Sequence, residues 1–148
     1  MELSFTEILR SEQSREKKMK AIAEKIRATK NYSWIGLYDV KEDEIKIVSW
    51  AGRTEPAFSS FPKDKGLNGR AVIQGKTVVV NDIDQDEDYL LTFTNTKSEV
   101  VVPIFIGAGK RIRGTIDVEA ETTNAFHEMD VRFLEDCASK ISELWGGS

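Results

Sequence analysis

Apolar and polar positions alternate from Ser98 to Ala120, in the run SEVVVPIFIGAGKRIRGTIDVEA. Two β-rich stretches joined by Gly107–Gly109 predict an antiparallel hairpin. Side chains alternate faces along a strand. Val100, Val102, Ile104 and Ile106 therefore share one face of the first stretch. Ile112, Gly114, Ile116 and Val118 share one face of the second. If both apolar faces look at one core, even positions pair with even, and the loop holds an odd number of residues, three or five. The other face carries Glu99, Val101 and Phe105 beside Arg113, Thr115, Asp117 and Glu119. Three carboxylates then fall on two adjacent strands near one end of the sheet. Like charges on neighbouring strands repel. On an open face water screens them; on a covered face each ion costs several kcal/mol unless a cation pairs with it.

The same patterning places the other elements. Ser4-Phe5-Thr6-Glu7 reads as a capping box. It opens a helix over about residues 4–29, with a polar middle, Arg10–Lys18, where it can break. Met19, Ile22, Ala23 and Ile26 form its narrow apolar seam. Tyr32–Asp39 is a predicted strand with Tyr32, Trp34, Gly36 and Tyr38 on one face and Ile35 and Leu37 on the other. Lys41–Asp43 turns it into a partner strand, Glu44–Ala51. Gly52–Lys65 is a loop. Gly66-Leu67-Asn68-Gly69 leads a short helix, Arg70–Gln74, which Gly75 ends. Thr77–Val80 is an apolar strand. Asp82–Lys97 is a long acidic loop holding Tyr89, Leu90, Leu91 and Phe93, and a loop of this length in a compact domain suits a lid. The last helix starts at Phe126–Asp130 with acids in its first turn; Val131, Leu134, Ala138, Ile141 and Trp145 are its core stripe. These elements predict an α+β fold: a central antiparallel sheet of about five to six strands, N- and C-terminal helices on one face, and a ligand pocket under loops on the other. Residues 1–30 are an N-terminal helical segment and 31–148 the domain proper, one structural domain overall.

Composition narrows the chemistry. The 148 residues are 40% hydrophobic and 31% charged, with a net charge of −4, ordinary for a soluble globular domain. No global basic field draws nucleic acid or an anionic membrane, and no apolar run approaches a membrane span. No charged-then-apolar leader opens the sequence, which points to the cytoplasm. One cysteine, Cys137, and one histidine, His127, exclude an intramolecular disulfide and any multi-Cys or multi-His metal site. Cys137 lies near the last helix's apolar stripe and reads as a buried, inert thiol. His127 reads as a surface or capping residue. Lys63, Lys65 and Arg70 around Gly66–Gly69 could hold a phosphate at a helix start, although a solvated loop is the simpler reading. No metal and no cofactor is expected.

The strand YSWIGLYD, then GLNGRAVIQGKTVVVNDI, SEVVVPIF, RIRGTIDVEA and FHEMDVRFLEDCASKI, in that order and spacing, resemble the GAF domain family over about Tyr32–Trp145. More narrowly, SEVVVP with TIDVE and the Trp of the first strand are similar to the free methionine-(R)-sulfoxide reductase branch. The resemblance implies that Glu99, Asp117 and Glu119 contact an amino-acid ligand and that Trp34 lies beside it. That branch reduces a sulfoxide through pocket cysteines. The matching positions here hold Phe58, Asn68 and Thr92, so the resemblance implies a pocket without the thiol nucleophile. Of the wider family's chemistries, bilin attachment needs a pocket Cys where Cys137 is on the wrong element, haem ligation would rest on His127 alone, and the cyclic-nucleotide pattern is missing as a unit.

The expectation is a single-domain sensory or regulatory protein that binds a small polar ligand, an amino acid or amine, with no catalytic residue of its own. Glu99, Asp117 and Glu119 would hold its cationic group. Trp34 and Tyr38 would form an aromatic wall, Asn68 a polar contact, and Tyr89–Thr92 the lid. Two alternatives stand: an enzyme of the free methionine-(R)-sulfoxide reductase kind, and a dimerising scaffold built on Phe5–Ile26 and Val131–Trp145. A homodimer is expected, and a signalling partner would be a protein the sequence does not name.

Overall fold

The computed structural model describes residues 3–86 and 95–146. Among them six antiparallel strands form one sheet in the order β3-β2-β1-β6-β5-β4. The strands are β1 (Trp34–Val40), β2 (Glu44–Ala51), β3 (Ser60–Pro62), β4 (Val78–Val80), β5 (Ser98–Ile106) and β6 (Arg111–Ala120). The helices are α1 (Thr6–Arg10), α2 (Arg15–Lys30), α3 (Gly66–Gln74) and α4 (Glu128–Ile141). None is long and apolar enough to cross a membrane.

The N-terminal helix divides in its polar middle. Ser14 caps α2 by accepting from the Lys17 N–H at 3.2 Å. The proposed Ser4 capping box does not form: Phe5 occupies the cap position, and Ser4 Oγ accepts the Thr6 N–H and donates to the Thr6 hydroxyl. Helix α3 begins at Gly66, four residues earlier than the pattern indicates, and ends as expected at Gly75 with φ +66°. The loop after β2 contains a short edge strand, β3, that no alternation marked.

One face of the sheet carries the main core. Met19, Ile22 and Ile26 of α2 and Leu134, Cys137 and Ile141 of α4 pack on Ile35, Leu37, Val100, Val102, Ile104, Ile116 and Val118. Burying such side chains supplies about 1.5–3 kcal/mol each. Tyr32 joins this core rather than the Trp34 face. It precedes β1, and its ring meets Phe126 while its hydroxyl donates to Asp130 at 2.8 Å.

The β5–β6 hairpin keeps the expected even register where it matters. Glu99 faces Glu119, Val101 faces Asp117 and Ile104 faces Gly114. The turn itself differs: Phe105 faces Ile112, so Arg113 is an extra residue on β6 and the loop has four residues, 107–110. This bulge moves Ile112 to the face opposite Gly114, where it packs beside Trp34 and Tyr38, which corrects its assignment to the apolar core face. Bulges sharpen the local twist. Gly114 is left with the Trp145 indole directly over its Cα, and Trp145 Nε1 donates to the Tyr38 carbonyl at 3.1 Å.

Candidate functional site

The register places the acids in rows across three strands. Trp34 of β1 faces Glu119 of β6, which faces Glu99 of β5. In the next row Gly36 faces Asp117, and in the next Tyr38 faces Thr115. Because side chains two apart share a face, all six project from the side of the sheet that α2 and α4 leave free. That side is covered by α3, whose Leu67 and Ala71 pack on Val78, Val80 and Val101. The acids are therefore sealed: Glu99 is 4% exposed, Asp117 and Glu119 2% each. An oxygen from each lies within 4.8 Å of the other two, close enough for one cation to touch all three.

Neighbouring donors set the geometry. Asn68 of α3 donates its Nδ2 to Asp117 Oδ2 at 2.9 Å, and its Oδ1 accepts the Thr115 hydroxyl at 2.5 Å. Thr96 donates its hydroxyl to Glu119 Oε1 at 2.8 Å. Asp117 Oδ1 is buried with no donor from outside the acid trio among the described residues. Burial, then the charges of Asp117 and Glu119, hold the Glu99 carboxyl well above the usual carboxylate range. Burial also raises Asp117, against the hydrogen bonds from Glu99 and Asn68 that pull it down. Burial, followed by the charges of Asp117, Glu119 and Glu99, raises the Tyr38 hydroxyl and keeps it neutral.

The aromatic wall depends on absent side chains. A Cβ on Gly36 would lie 2.8 Å from Trp34 Cζ3 and 2.9 Å from Tyr38 Cε1, and one on Gly52 would strike the other edge of the indole. Between these glycines the ring lies flat, with Nε1 donating to the Thr54 carbonyl at 3.2 Å. An open cleft of about 630 Å³ here reaches Glu119 of the three acids and is lined also by Ser33, Trp34, Arg53, Thr54, Asn95, Thr96 and Glu121. Arg53 and Glu121 form an ion pair at its mouth.

The sequence-derived residues Trp34, Tyr38, Asn68, Glu99, Asp117 and Glu119 thus come together. Thr92 and the rest of the Tyr89–Thr92 lid lie outside the described residues. Phe58 is 44% exposed. Cys137 is in the core behind the sheet, its thiol pushed up to about 12 by burial. His127 sits at the α4 cap, its backbone N–H donating to Asp130 Oδ2 at 3.0 Å. Arg70 pairs with Asp86 at 2.6 Å. Sequence reasoning missed Thr96, whose spacing from the acids carries no signal, and the Arg53–Glu121 pair.

Comparison with known proteins gives a consistent neighbourhood. The family model described as GAF domain matches residues 12–144. GAF domain-containing protein A of Dictyostelium discoideum is 30% identical over 105 residues, 70% of this chain and 64% of its own length. The free methionine-R-sulfoxide reductase of Saccharomyces cerevisiae is 29% identical over 112 residues, 75% of this chain and 62% of its own. The chain spans less than two thirds of either relative. Among solved structures, the fRMsr of Staphylococcus aureus in complex with substrate superposes with a TM-score of 0.77 at 27% identity, over 95% of this chain and 90% of that one.

Proposed function

The chain belongs to the GAF domain family, and from that footing we propose that it is a sensory, ligand-binding module whose cleft takes a small polar cation, an amino acid or an amine. One observation carries this reading: three sealed carboxylates converge, and one of them, Glu119, lines an open cleft beside an indole packed between two glycines. Burying like charges is costly, and an ammonium group placed among them would turn mutual repulsion into attraction. Glu99, Asp117 and Glu119 would neutralise the cation, Trp34 would cover the ligand's apolar part, Tyr38 would close the wall, and Asn68 would hold Asp117 in place. The test is a thermal-shift panel of amino acids, amines, nucleotides and anions on the purified protein. A ligand that binds only the native state raises the melting temperature. Amines or amino acids should give the shift; a flat panel removes the reading.

A second reading is reduction of free methionine-R-sulfoxide, favoured by the names of the yeast and Staphylococcus aureus relatives. Against it stands the position of the chain's one thiol, Cys137, in the core on the opposite side of the sheet. Thioredoxin-coupled turnover on free methionine sulfoxide, compared with Cys137→Ser, decides it: no turnover by the wild type rules the reductase out. We propose further that the terminal helices carry a homodimer; light scattering on protein lacking residues 1–18 tests that seam, and an unchanged dimer excludes it.

A further inference from the structure

Hydrogen-bond donors are shared unequally among the three acids. Asp117 accepts from Asn68 and Glu119 accepts from Thr96, contacts that favour an ionised acceptor. Glu99 has no side-chain donor from outside the trio among the described residues; within the trio an oxygen of each acid lies within 4.8 Å of the other two. The groups that act on it electrostatically are Asp117 and Glu119 on β6 and Asp86 after the 3-10 turn Ile83–Gln85, all acidic, and Asp86 is itself paired with Arg70 of α3. The neutral Tyr38 hydroxyl of β1 faces the same trio. Asn68 cannot turn its amide without cost. Its Oδ1 is engaged by the Thr115 hydroxyl, and reversal would set an oxygen against Asp117 Oδ2.

We infer that the empty cluster stores one proton on Glu99, that Asn68 is the positioning residue that keeps it off Asp117, and that a cation entering the cleft displaces it to solvent. The exchange conserves charge: a neutral carboxyl and a free cation become a carboxylate–cation pair and a released proton. The stored proton stands on the geometry of the trio alone, whereas the exchange rests on the ligand reading above. Ligand uptake is thereby linked to pH, tighter as pH rises towards neutrality because the competing proton is scarcer.

Infrared spectroscopy of the ligand-free protein at pH 7 tests the stored proton directly. A protonated-carboxyl C=O band should be present, lost in Glu99→Gln, and shifted in frequency in Asn68→Ala, a change that mere loosening of α3 does not produce. Absence of the band, or its survival in Glu99→Gln, overturns the assignment; an unshifted band in Asn68→Ala overturns the role of Asn68. Saturating propylammonium chloride should then bleach the band and release close to one proton per cation, read by calorimetry in two buffers of different ionisation enthalpy. An unchanged band, with or without binding, overturns the exchange, while the thermal-shift panel separately decides whether the cleft takes a ligand at all.

Discussion

Replacing Glu99 by Gln should stabilise the ligand-free protein at neutral pH. The substitution keeps the side chain's shape and removes a buried acid from a trio whose oxygens lie within 4.8 Å of one another. At that distance two charges repel by about 3.5 kcal/mol at an effective dielectric of about 20. Glu99 faces two such neighbours, so protonation is the cheaper escape. The sign follows from linkage. The unfolded chain loses its Glu proton near 4.5, and the native state holds it to much higher pH. Above 4.5 the native state binds more protons than the unfolded one, and stability falls by about 1.4 kcal/mol per pH unit. By pH 7 the accumulated cost is capped at roughly 3.4 kcal/mol from this group. Gln carries none of it. For a domain of this size about 1 kcal/mol moves the melting temperature by about 2–4 °C. Glu99→Gln should therefore melt several degrees higher than wild type at pH 7, up to about 10 °C, with the gap closing towards pH 4.5. Thermal unfolding followed by circular dichroism from pH 4.5 to 8 reads both effects. Parallel curves for the two proteins, or a lower melting temperature for the variant at pH 7, would refute the reasoning.

Gly36→Ala places a methyl within 3 Å of both the Trp34 and Tyr38 rings, so it should displace the indole; tryptophan fluorescence should shift and any ligand-induced melting shift should shrink. Asn68→Ala strips Asp117 Oδ2 and Thr115 of their partner and should cost about 1–3 kcal/mol in a urea melt at pH 7. Trp145→Phe loses the Nε1 bond to the Tyr38 carbonyl and should cost about 1–2 kcal/mol by the same measurement. Cys137, buried and with its thiol raised to about 12, should resist iodoacetamide in the native state at pH 8 and react promptly once the protein is unfolded.

Much of the site was legible because strand alternation is a rigid rule. Even pairing of the β5 and β6 residues put Glu99, Asp117 and Glu119 on one face, and that register holds from Glu99–Glu119 to Ile104–Gly114. The turn was misread because an extra residue at Arg113 changes the pairing sum without a local sequence mark, and Ile112 crossed faces with it. Tyr32 was misassigned because the strand starts at Trp34, and a residue outside the ladder is free to follow its ring into the core. Whether the acid face was open or covered was not readable from alternation. The answer comes from α3, which begins at Gly66 and brings Asn68 onto Asp117. That contact joins residues 49 apart in the chain, a relation no local pattern encodes.

The most direct test of charge recognition by the acid trio is a calorimetric titration with two ligands of the same shape, butylammonium and 1-butanol, at pH 7 and low salt. Charge recognition by Glu99, Asp117 and Glu119 predicts that the ammonium binds at least tenfold more tightly than the alcohol, and that the preference disappears in Asp117→Asn. Equal binding of the two, or a preference that survives Asp117→Asn, would contradict the account.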